Sequence, residues 1–499
     1  MLRKIRIAIA TIFYALITLL FLDFTGTLHG WFGWLAKIQF LPAVMALNVG
    51  VIIFLVALTL IFGRVYCSTI CPLGVMQDLI SWFAGKRKKN RFKFSPAKNY
   101  LRYGVLVLFI AAIVAGIGSV VALLAPYSSY GRIAQNLLSP LYKWGNNLFA
   151  FVAEKVDSYA FYSTDVIIAS IGTFALAAVT LIVIGYLAWR SGRTYCNTIC
   201  PVGTVLGVLS RFSLLKPVIV TEKCINCGKC ARNCKSSCID SKNHAIDYSR
   251  CVVCMDCLES CSVNAVKYKF RPCPSKCSSS CKAETKAEPK VDASRKNFLI
   301  GAGLLATSAV KAQEMKVDGG YATIIGKKAP KREINPTPAG SWSVKDLTSK
   351  CTGCQLCVAV CPNNVLRPSA ELKSFMQPVM SFEHGYCRPE CNKCSEVCPA
   401  GAINPITIAE KSSTQIGHAV WVKANCVVLT DNVDCGNCER HCPSKAITLV
   451  PSDPNNRRSR KIPTINEQRC IGCGACENLC PARPFSAIYV EGHKTHSTI

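Results

Sequence analysis

The chain has 499 residues, of which 50% are hydrophobic and 32 are cysteines, and its formal net charge is +29. A chain of this length accommodates about three domains. The hydrophobic residues are concentrated before position 190 and the cysteines after it, which indicates that the two halves lie in different solvents. The positive charge is spread over loops such as 86–93, which is typical of positive-inside membrane loops and argues against nucleic acid as a partner.

Four apolar stretches are long enough to cross a bilayer core, which needs about 20 helical residues. They predict membrane spans at 5–22, 41–62, 100–124 and 165–189. Basic residues at the N-terminus, in the loop 85–98 and after the fourth span predict that these regions face the cytoplasm. The outward-facing segments then carry aromatic residues suited to an interfacial belt. These are Trp31, Trp34, Tyr127, Tyr130 and Trp144.

An internal repeat lies at the cytoplasmic ends of these spans. The segment Arg-Val-Tyr-Cys-Ser-Thr-Ile-Cys-Pro-Leu-Gly at 64–74 recurs as Arg-Thr-Tyr-Cys-Asn-Thr-Ile-Cys-Pro-Val-Gly at 193–203. Each copy follows the second span of a pair, which indicates a duplicated two-helix unit within a membrane domain at 1–215. We expect the duplication to bring Cys67, Cys71, Cys196 and Cys200 to one depth as a four-thiolate redox site. The alternatives are two dithiol or disulfide pairs, or purely structural cysteines.

The next segment, 216–272, contains two quartets of the form Cys-x2-Cys-x2-Cys-x3-Cys. This spacing is typical of 4Fe–4S clusters, in which the fourth cysteine of each quartet binds the other cluster. Disulfide frameworks and zinc sites do not favour repeated quartets. Lys235 and Ser262 replace the prolines that usually follow the fourth cysteines. The predicted ligand sets are Cys224, Cys227 and Cys230 with Cys261, and Cys251, Cys254 and Cys257 with Cys234.

Paired Tyr-Cys-x3-Cys-Pro-x-Gly motifs behind membrane spans, followed by a two-cluster ferredoxin segment, resemble the NapH family. The resemblance covers roughly residues 1–270. NapH proteins are membrane quinol dehydrogenase subunits of periplasmic nitrate reductase systems, so the resemblance implies menaquinol or ubiquinol as the electron donor. No side chain identifies a quinone pocket. Asp23, His29 and Gln39 lie near the outer ends of the first two spans, where protons are released, although interfacial polar residues are the simpler interpretation.

Four further cysteines fit no quartet, namely Cys238, Cys273, Cys277 and Cys281. An additional metal site is one interpretation. The Ser-, Lys- and Pro-rich composition around the last three favours a linker at 273–293 instead. Residues 294–313 then combine a basic pair with an apolar run of about 13 residues, which predicts either a twin-arginine-like export signal or a short membrane anchor as a fifth span.

Beyond a linker at 314–340, a segment at 341–499 holds four more quartets, each ending in Cys-Pro. Two are irregular, with longer gaps after Cys387 and Cys426. Sequential exchange of fourth ligands (first with second, third with fourth) and nested exchange (first with fourth) both fit the spacing. The quartets are Cys351, Cys354, Cys357 and Cys361; Cys387, Cys391, Cys394 and Cys398; Cys426, Cys435, Cys438 and Cys442; and Cys470, Cys473, Cys476 and Cys480.

An export-type signal followed by four such quartets resembles NapG, the four-cluster partner of NapH. The fold class expected is therefore multi-domain, with an α-helical membrane domain and α+β ferredoxin-like domains. A NapH–NapG fusion implies six 4Fe–4S clusters, and the repeat adds one further iron site. It also implies a bacterial inner-membrane protein with a cytoplasmic two-cluster module and a periplasmic four-cluster domain. Electrons would pass to a periplasmic reductase or its cytochrome; the alternative is a redox maturation factor for another metalloenzyme.

Overall fold

The computed structural model describes residues 2–23, 25–87, 92–157, 161–164, 166, 171–270, 325–372 and 374–499. The predicted signal or anchor at 294–313 and the linker at 273–293 lie outside the described residues. Cys273, Cys277 and Cys281 lie outside them too.

The first 215 residues form the helical part of the molecule. A π-helical turn, Ala134–Leu138, interrupts it and positions Asn136. Its α-helices are α1 (Leu2–Leu22), α2 (Thr27–Phe32), α3 (Trp34–Lys37), α4 (Phe40–Met45), α5 (Val49–Phe62), α6 (Val65–Thr69), α7 (Pro72–Arg87), α8 (Asn99–Val114), α9 (Gly118–Leu124), α10 (Pro126–Ile133), α11 (Ser139–Glu154), α12 (Ile171–Ser191), α13 (Thr194–Thr198) and α14 (Pro201–Ser210).

Two of these helices, α1 and α12, are long and apolar enough to cross a membrane, among the residues described. The predicted second and third spans are each divided into two shorter helices. Leu47 adopts a left-handed backbone between α4 and α5, and Gly116 does so between α8 and α9. Asn48 then caps α5 by accepting the Val51 N–H at 3.3 Å. Of the four spans that the sequence predicts, the described residues therefore show two as single membrane-length helices.

The outward faces of these helices are apolar. Ile53 on α5, Val107 on α8 and Ile182 on α12 are all exposed. Contiguous exposed apolar faces of this kind are unusual on soluble monomers and suit lipid. They complement the buried stripe by which α1, α7 and α12 pack together.

The structure buries two of the five residues predicted to form an aromatic belt. Trp31, Trp34 and Trp144 are exposed, but Tyr127 and Tyr130 are fully buried. Both tyrosines lie on α10, which packs beneath the four-cluster domain, and Tyr130 contacts Phe21 at a ring-centroid distance of 6.1 Å. Tyr130 is buried against Tyr14 and Phe21 of α1, whereas Tyr127 lies beside Cys354 of the docked domain. Hydropathy predicts neither contact.

The two-cluster module is a small α+β unit built on two antiparallel strand pairs. Strand β1 (Leu215–Ile219) pairs with β4 (Val266–Phe270), with Leu215 opposite Phe270. Strand β2 (Ile239–Asp240) pairs with β3 (Ala245–Ile246). Two short helices, α15 (Lys229–Arg232) and α16 (Asp256–Ser260), follow the two cysteine loops.

The four-cluster domain is also built on short antiparallel strand pairs. Its described residues form three of them, β5–β6, β7–β10 and β8–β9. Short elements between cysteine loops leave little aliphatic core, so bound clusters would contribute much of the packing. The elements are α17 (Val344–Lys350), α18 (Leu356–Ala359), β5 (Leu366–Pro368), β6 (Pro378–Met380), α19 (Lys393–Val397), α20 (Ile408–Ser413), β7 (Thr414–Trp421), α21 (Val427–Thr430), α22 (Asn437–Arg440), β8 (Ile447–Pro451), β9 (Lys461–Ile465), α23 (Ala475–Asn478) and β10 (Ile488–Thr498).

The described part of the predicted linker 314–340, residues 325–340, packs against the four-cluster domain. Lys327 Nζ donates to the Cys480 carbonyl at 3.0 Å. Arg332 forms a buried ion pair with Glu477. These contacts attach the segment to the last cysteine loop.

The two ferredoxin modules pack at opposite ends of α1. At its start, Arg3 pairs with Asp256 of the two-cluster module at 2.8 Å. Beyond its end, the Thr25 carbonyl accepts from Lys393 of the four-cluster domain at 3.1 Å. One hydrophobic core continues from the helical part, through Tyr127, into the four-cluster domain at Leu356. A helix of 21 residues is about 31 Å long, close to the thickness of a bilayer core.

Candidate iron–sulfur centres

The four cysteines of the internal repeat meet inside the helical part. Cys67, Cys71, Cys196 and Cys200 are all buried. Burial, followed by the neighbouring Cys196 and Cys67 thiols, raises the pKa of Cys71. Burial, followed by the other three thiols, raises the pKa of Cys200 well above its usual value. The structure thus brings together the two cysteine pairs that the duplication predicts; this group is called the membrane site below.

Two buried arginines hold the halves of the repeat together by reciprocal hydrogen bonds. Arg64 donates to the Cys196 carbonyl at 3.2 Å, and Arg193 donates to the Cys67 carbonyl at 2.6 Å. Neither arginine is exposed. The glycine that ends each motif makes room for this arrangement, because a Cβ on Gly74 would lie 2.3 Å from the Cys67 carbonyl oxygen. The repeat therefore folds as a pseudo-symmetric pair of cysteine loops.

Polar hydrogens point at the sulfurs of the membrane site. Gln77 Nε2 donates to Cys196 Sγ at 3.2 Å, and the Gly203 N–H donates to Cys200 Sγ at 3.3 Å. Such donors stabilise negative charge on sulfur and tune the potential of an iron–sulfur cluster. The donor set of four thiols with N–H donors fits a 4Fe–4S cluster, which would supply one-electron transfer when bound.

The regular cysteine loops share one backbone pattern. In each, the residues just before and just after the second cysteine have positive φ, which turns the chain around the three thiols. At Met255 and Gln355 this left-handed backbone falls on residues other than glycine, which costs about 1–3 kcal/mol each unless the site stabilises it. The pairs are Asn226 and Gly228, Val253 and Met255, Gly353 and Gln355, and Gly472 and Gly474.

Fourth cysteines of the quartets also accept backbone hydrogen bonds. The Ala265 N–H donates to Cys261 Sγ and the Ala446 N–H to Cys442 Sγ, each at 3.2 Å. All cysteines in the described part of the chain are free thiols. No group of three or more His, Cys, Asp or Glu among the described residues suits a single metal ion. Cubic clusters use their thiolates differently, one to each iron, and the loops fit that donor pattern.

In the two-cluster module, Cys234 lies with the second triplet. Burial, then Cys254, Cys251 and Cys234, raises the pKa of the Cys257 thiol well above its usual value. Cys224, Cys230 and Cys261 pack in one small core with Cys234, Cys251 and Cys257. The position of Cys234 agrees with the exchange that the spacing predicts, and the pairing of Cys261 with the first triplet stays a prediction. The spacing leaves Cys238 unassigned. Its Sγ lies 3.5 Å from the Sγ of Cys234.

In the first half of the four-cluster domain, the first and second quartets exchange their fourth cysteines. Burial, then Cys354, Cys351 and Cys398, raises the pKa of Cys357. The Cys394 thiol lies near Cys387, Cys361 and Cys391 in turn. The structure therefore places Cys398 with the first triplet and Cys361 with the second.

The second half of the domain shows the same exchange. Burial, then Cys473, Cys470 and Cys442, raises the pKa of Cys476. Burial, with smaller contributions from Cys435 and Cys480, raises the pKa of Cys438 to about 11. Of the two arrangements that the sequence allows, the structure has the sequential one.

These groups are numbered here as centres. Centre 1 is Cys224, Cys227, Cys230 and Cys261; centre 2 is Cys251, Cys254, Cys257 and Cys234; centre 3 is Cys351, Cys354, Cys357 and Cys398; centre 4 is Cys387, Cys391, Cys394 and Cys361; centre 5 is Cys470, Cys473, Cys476 and Cys442; centre 6 is Cys426, Cys435, Cys438 and Cys480.

Contacts along the chain put several centres next to one another. Centre 2 adjoins the membrane site, because the Lys235 carbonyl accepts the Arg193 N–H at 2.9 Å. Centre 3 adjoins the helical part, where a Cβ on Gly131 would lie 2.2 Å from the Cys354 carbonyl oxygen. Centre 4 adjoins centre 5 through the Cys387 N–H, which donates to the Cys473 carbonyl at 2.9 Å.

Buried aromatic residues lie between the membrane site and centre 3. Tyr195, which is next to Cys196, donates its hydroxyl to the Leu124 carbonyl at 3.0 Å. Ala122, which lies two residues before Leu124 on α9, packs against Gly353 in the first loop of centre 3. Helices α9 and α10 thus contact the four-cluster domain, which the sequence pattern does not predict.

The polar residues near the outer ends of the first two spans separate into two groups. Asp23 lies 3.1 Å from His29 Nδ1. Gln39 instead accepts from the Tyr66 hydroxyl at 3.0 Å, close to the membrane site. The three residues therefore do not form one cluster.

Two family models match the chain. One, described as a 4Fe-4S binding domain, matches residues 44–90 and 171–218, the two halves of the internal repeat. The other, described as a 4Fe-4S dicluster domain, matches residues 350–402 and 433–483. The chain has ferredoxin-type iron–sulfur domains. It is similar to ferredoxin-type proteins, among them NapH.

Curated relatives resemble separate parts of this ferredoxin-type chain. The putative electron transport protein YccM of Escherichia coli is 29% identical over 45% of the chain and 56% of its own length. The methylamine utilization ferredoxin-type protein MauM of Methylobacillus flagellatus is 33% identical over 31% of the chain and 66% of its own length. The ferredoxin-type protein NapH of Haemophilus influenzae is 26% identical over 46% of the chain and 70% of its own length. The chain thus spans less than two thirds of the first two relatives. No solved structure matches it.

Proposed function

We propose that this chain is a quinol dehydrogenase relay that joins a NapH-like membrane part to a NapG-like four-cluster domain. Quinol is oxidised at the membrane part, and electrons leave through six 4Fe–4S clusters and a seventh iron–sulfur site at Cys67, Cys71, Cys196 and Cys200. A periplasmic reductase or its cytochrome is the acceptor. The apolar helices α5 and α8, of 14 and 16 residues, complete four membrane crossings.

The observation that carries this proposal is the placement of the cysteine groups. The two modules pack at opposite ends of α1, and the buried membrane site lies between them along the helical part. A protein that only delivers electrons within the cytoplasm has no need for cysteine centres at both ends of a membrane-length helix. The NapH and NosR likenesses support a respiratory setting.

Side chains and backbone groups of the helical part position the cysteines of the proposed electron-transfer route and surround them. Arg64 and Arg193 fix the two cysteine loops of the membrane site, and their full burial excludes water from it. Gln77 and Gly203 donate hydrogen bonds to sulfur there. Tyr195 and Tyr127 fill the space toward centre 3 with buried aromatic side chains.

The test uses the full chain in nanodiscs with a reduced menaquinone analogue as donor. Replacing Cys71 and Cys200 together by Ala should remove about four iron atoms per chain and stop quinol from reducing the four-cluster domain. Thr69→Ser with Thr198→Ser is the matched control, since these residues hold equivalent positions in the same two motifs.

Two results would contradict the proposal. Unchanged iron content in the double Cys variant would remove the seventh site. Failure of quinol to reduce any cluster in the wild-type chain, with reduction by a soluble low-potential donor intact, would favour the maturation-factor alternative.

A further inference from the structure

A fifth thiol lies in the cavity of centre 2. Cys238 is only 1% exposed, and its Sγ lies 3.5 Å from Cys234 Sγ. The same cavity is lined by Cys234, Cys251, Cys254 and Cys257. A cubic cluster takes four thiolates, so this cavity offers one more than the cluster needs.

The other quartets show that Cys238 occupies a defined position. It follows the fourth cysteine by four residues, and at that distance most of the other quartets have a buried aliphatic side chain. The residue before it, Ser237, has positive φ, as do the equivalent Asn264 and Lys445. The same turn therefore presents a sulfur to centre 2 where elsewhere it presents a methyl group. The equivalent aliphatic residues are Ala265, Val365, Ala402 and Ala446.

We propose that Cys238 is an alternative fourth ligand of centre 2. In the exchange, the iron–sulfur bond to Cys234 breaks, a bond to Cys238 forms, and the proton of the Cys238 thiol passes to Cys234 Sγ. No electron is transferred. The 3.5 Å sulfur separation makes this exchange a matter of side-chain rotation. The inference rests on the ligand set proposed above for centre 2.

Centre 2 lies next to the helical part, and this position explains why a second possible ligand at Cys238 is useful. Cys234 is followed by Lys235, whose Nζ lies 3.0 Å from Asp256 and whose carbonyl accepts the Arg193 N–H. Cys234 is therefore directly followed by a residue that contacts the helical part. Cys238 lies four residues further along, where its carbonyl accepts the Asp247 N–H at 2.9 Å within the two-cluster module, so it would hold the cluster when Cys234 is displaced.

The experiment compares iron and acid-labile sulfide per chain, with the EPR spectrum of the reduced protein, in full-length variants. Cys234→Ala and Cys238→Ala should each keep all clusters, and Cys234→Ala should alter the EPR signal of one. The double variant should lose about four iron atoms. Cys261→Ala is the matched control in centre 1, where Ala265 holds the equivalent position; it should lose about four iron atoms on its own.

A Cys234→Ala chain that loses as much iron as Cys261→Ala overturns the inference. Adding Ala265→Cys to Cys261→Ala should restore iron, which tests the turn geometry without relying on folding of the Cys234 variant; no restoration counts against it. Cys254→Ala, at a ligand of centre 2 that does not contact Cys238, tests the ligand set separately from the alternative ligand. If it keeps all iron, the ligand set of centre 2 is wrong, and the alternative ligand fails with it.

Discussion

At the scale of single residues, buried charge connects the membrane part to the two-cluster module. Asp78 on α7 accepts from Arg193 at 2.9 Å and from Arg6 at 2.9 Å, and Lys235 lies 3.7 Å away. Burial disfavours the Asp78 carboxylate, but these three cations hold its pKa well below the usual range. One carboxylate therefore contacts cations from three separate segments.

Replacement of Asp78 by Asn should destabilise the protein by about 3–5 kcal/mol, because it leaves Arg193 and Arg6 buried without a counter-ion. Thermal unfolding in detergent measures the change. Asp434→Asn is the control, since the Asp434 side chain is 88% exposed. Equal melting temperatures for the two variants would show that Asp78 is not essential to the packing.

A second residue-scale effect concerns the potential of centre 4. Lys411 Nζ lies 3.1 Å from Cys387 Sγ. A nearby positive charge favours the reduced, more negative cluster, so Lys411→Met should lower the potential of this centre by on the order of tens of millivolts. An EPR-monitored redox titration measures the shift. Lys411→Arg keeps the charge and should stay near the wild-type potential; an equal fall in both variants would assign the effect to lost packing.

At the scale of elements, the sequence predicts some features because they are local. The cysteine triplets follow from spacing alone, and α1 and α12 follow from continuous apolar runs. The helix breaks at Leu47 and Gly116 do not follow from the sequence, because the apolar run continues through both positions. Burial of Tyr127 depends on a domain that begins more than 200 residues later. Exchange of fourth ligands in the four-cluster domain is likewise a tertiary property.

The contact between α10 and the first loop of centre 3 is the element-scale feature on which the proposed route depends. An Ala side chain at Gly131 would place its Cβ 2.2 Å from the Cys354 carbonyl oxygen. Such overpacking typically costs about 1–3 kcal/mol, so Gly131→Ala should loosen the docking of the four-cluster domain. Iron content should stay unchanged, while quinol-driven reduction of centres 3–6 slows in stopped-flow measurements.

Gly145→Ala is the control for this substitution, because nothing lies within 4 Å of a Cβ at that position on α11. In the Gly145→Ala variant, quinol should reduce centres 3–6 at the wild-type rate. If Gly131→Ala is equally fast, the contact is not on the path that electrons take from the membrane part.

At the scale of the whole molecule, the arrangement of the modules has a consequence for topology. Helix α1 is about 31 Å long, and the two-cluster module and the four-cluster domain contact opposite ends of it. If α1 crosses the bilayer, the two modules must lie on opposite sides. The basic loops near the two-cluster module are the reason for proposing that this side is cytoplasmic.

Protease accessibility in intact spheroplasts and in lysed cells tests this topology. We expect the four-cluster domain to be digested in spheroplasts, because its exposed 452–459 turn faces the periplasm in this arrangement. Antibodies against the two modules report each fragment, and a cytoplasmic marker protein controls for lysis. The two-cluster module should survive until the cells are lysed. Protection of both modules until lysis would place every centre on the cytoplasmic side, and electrons would then have to leave to a cytoplasmic acceptor.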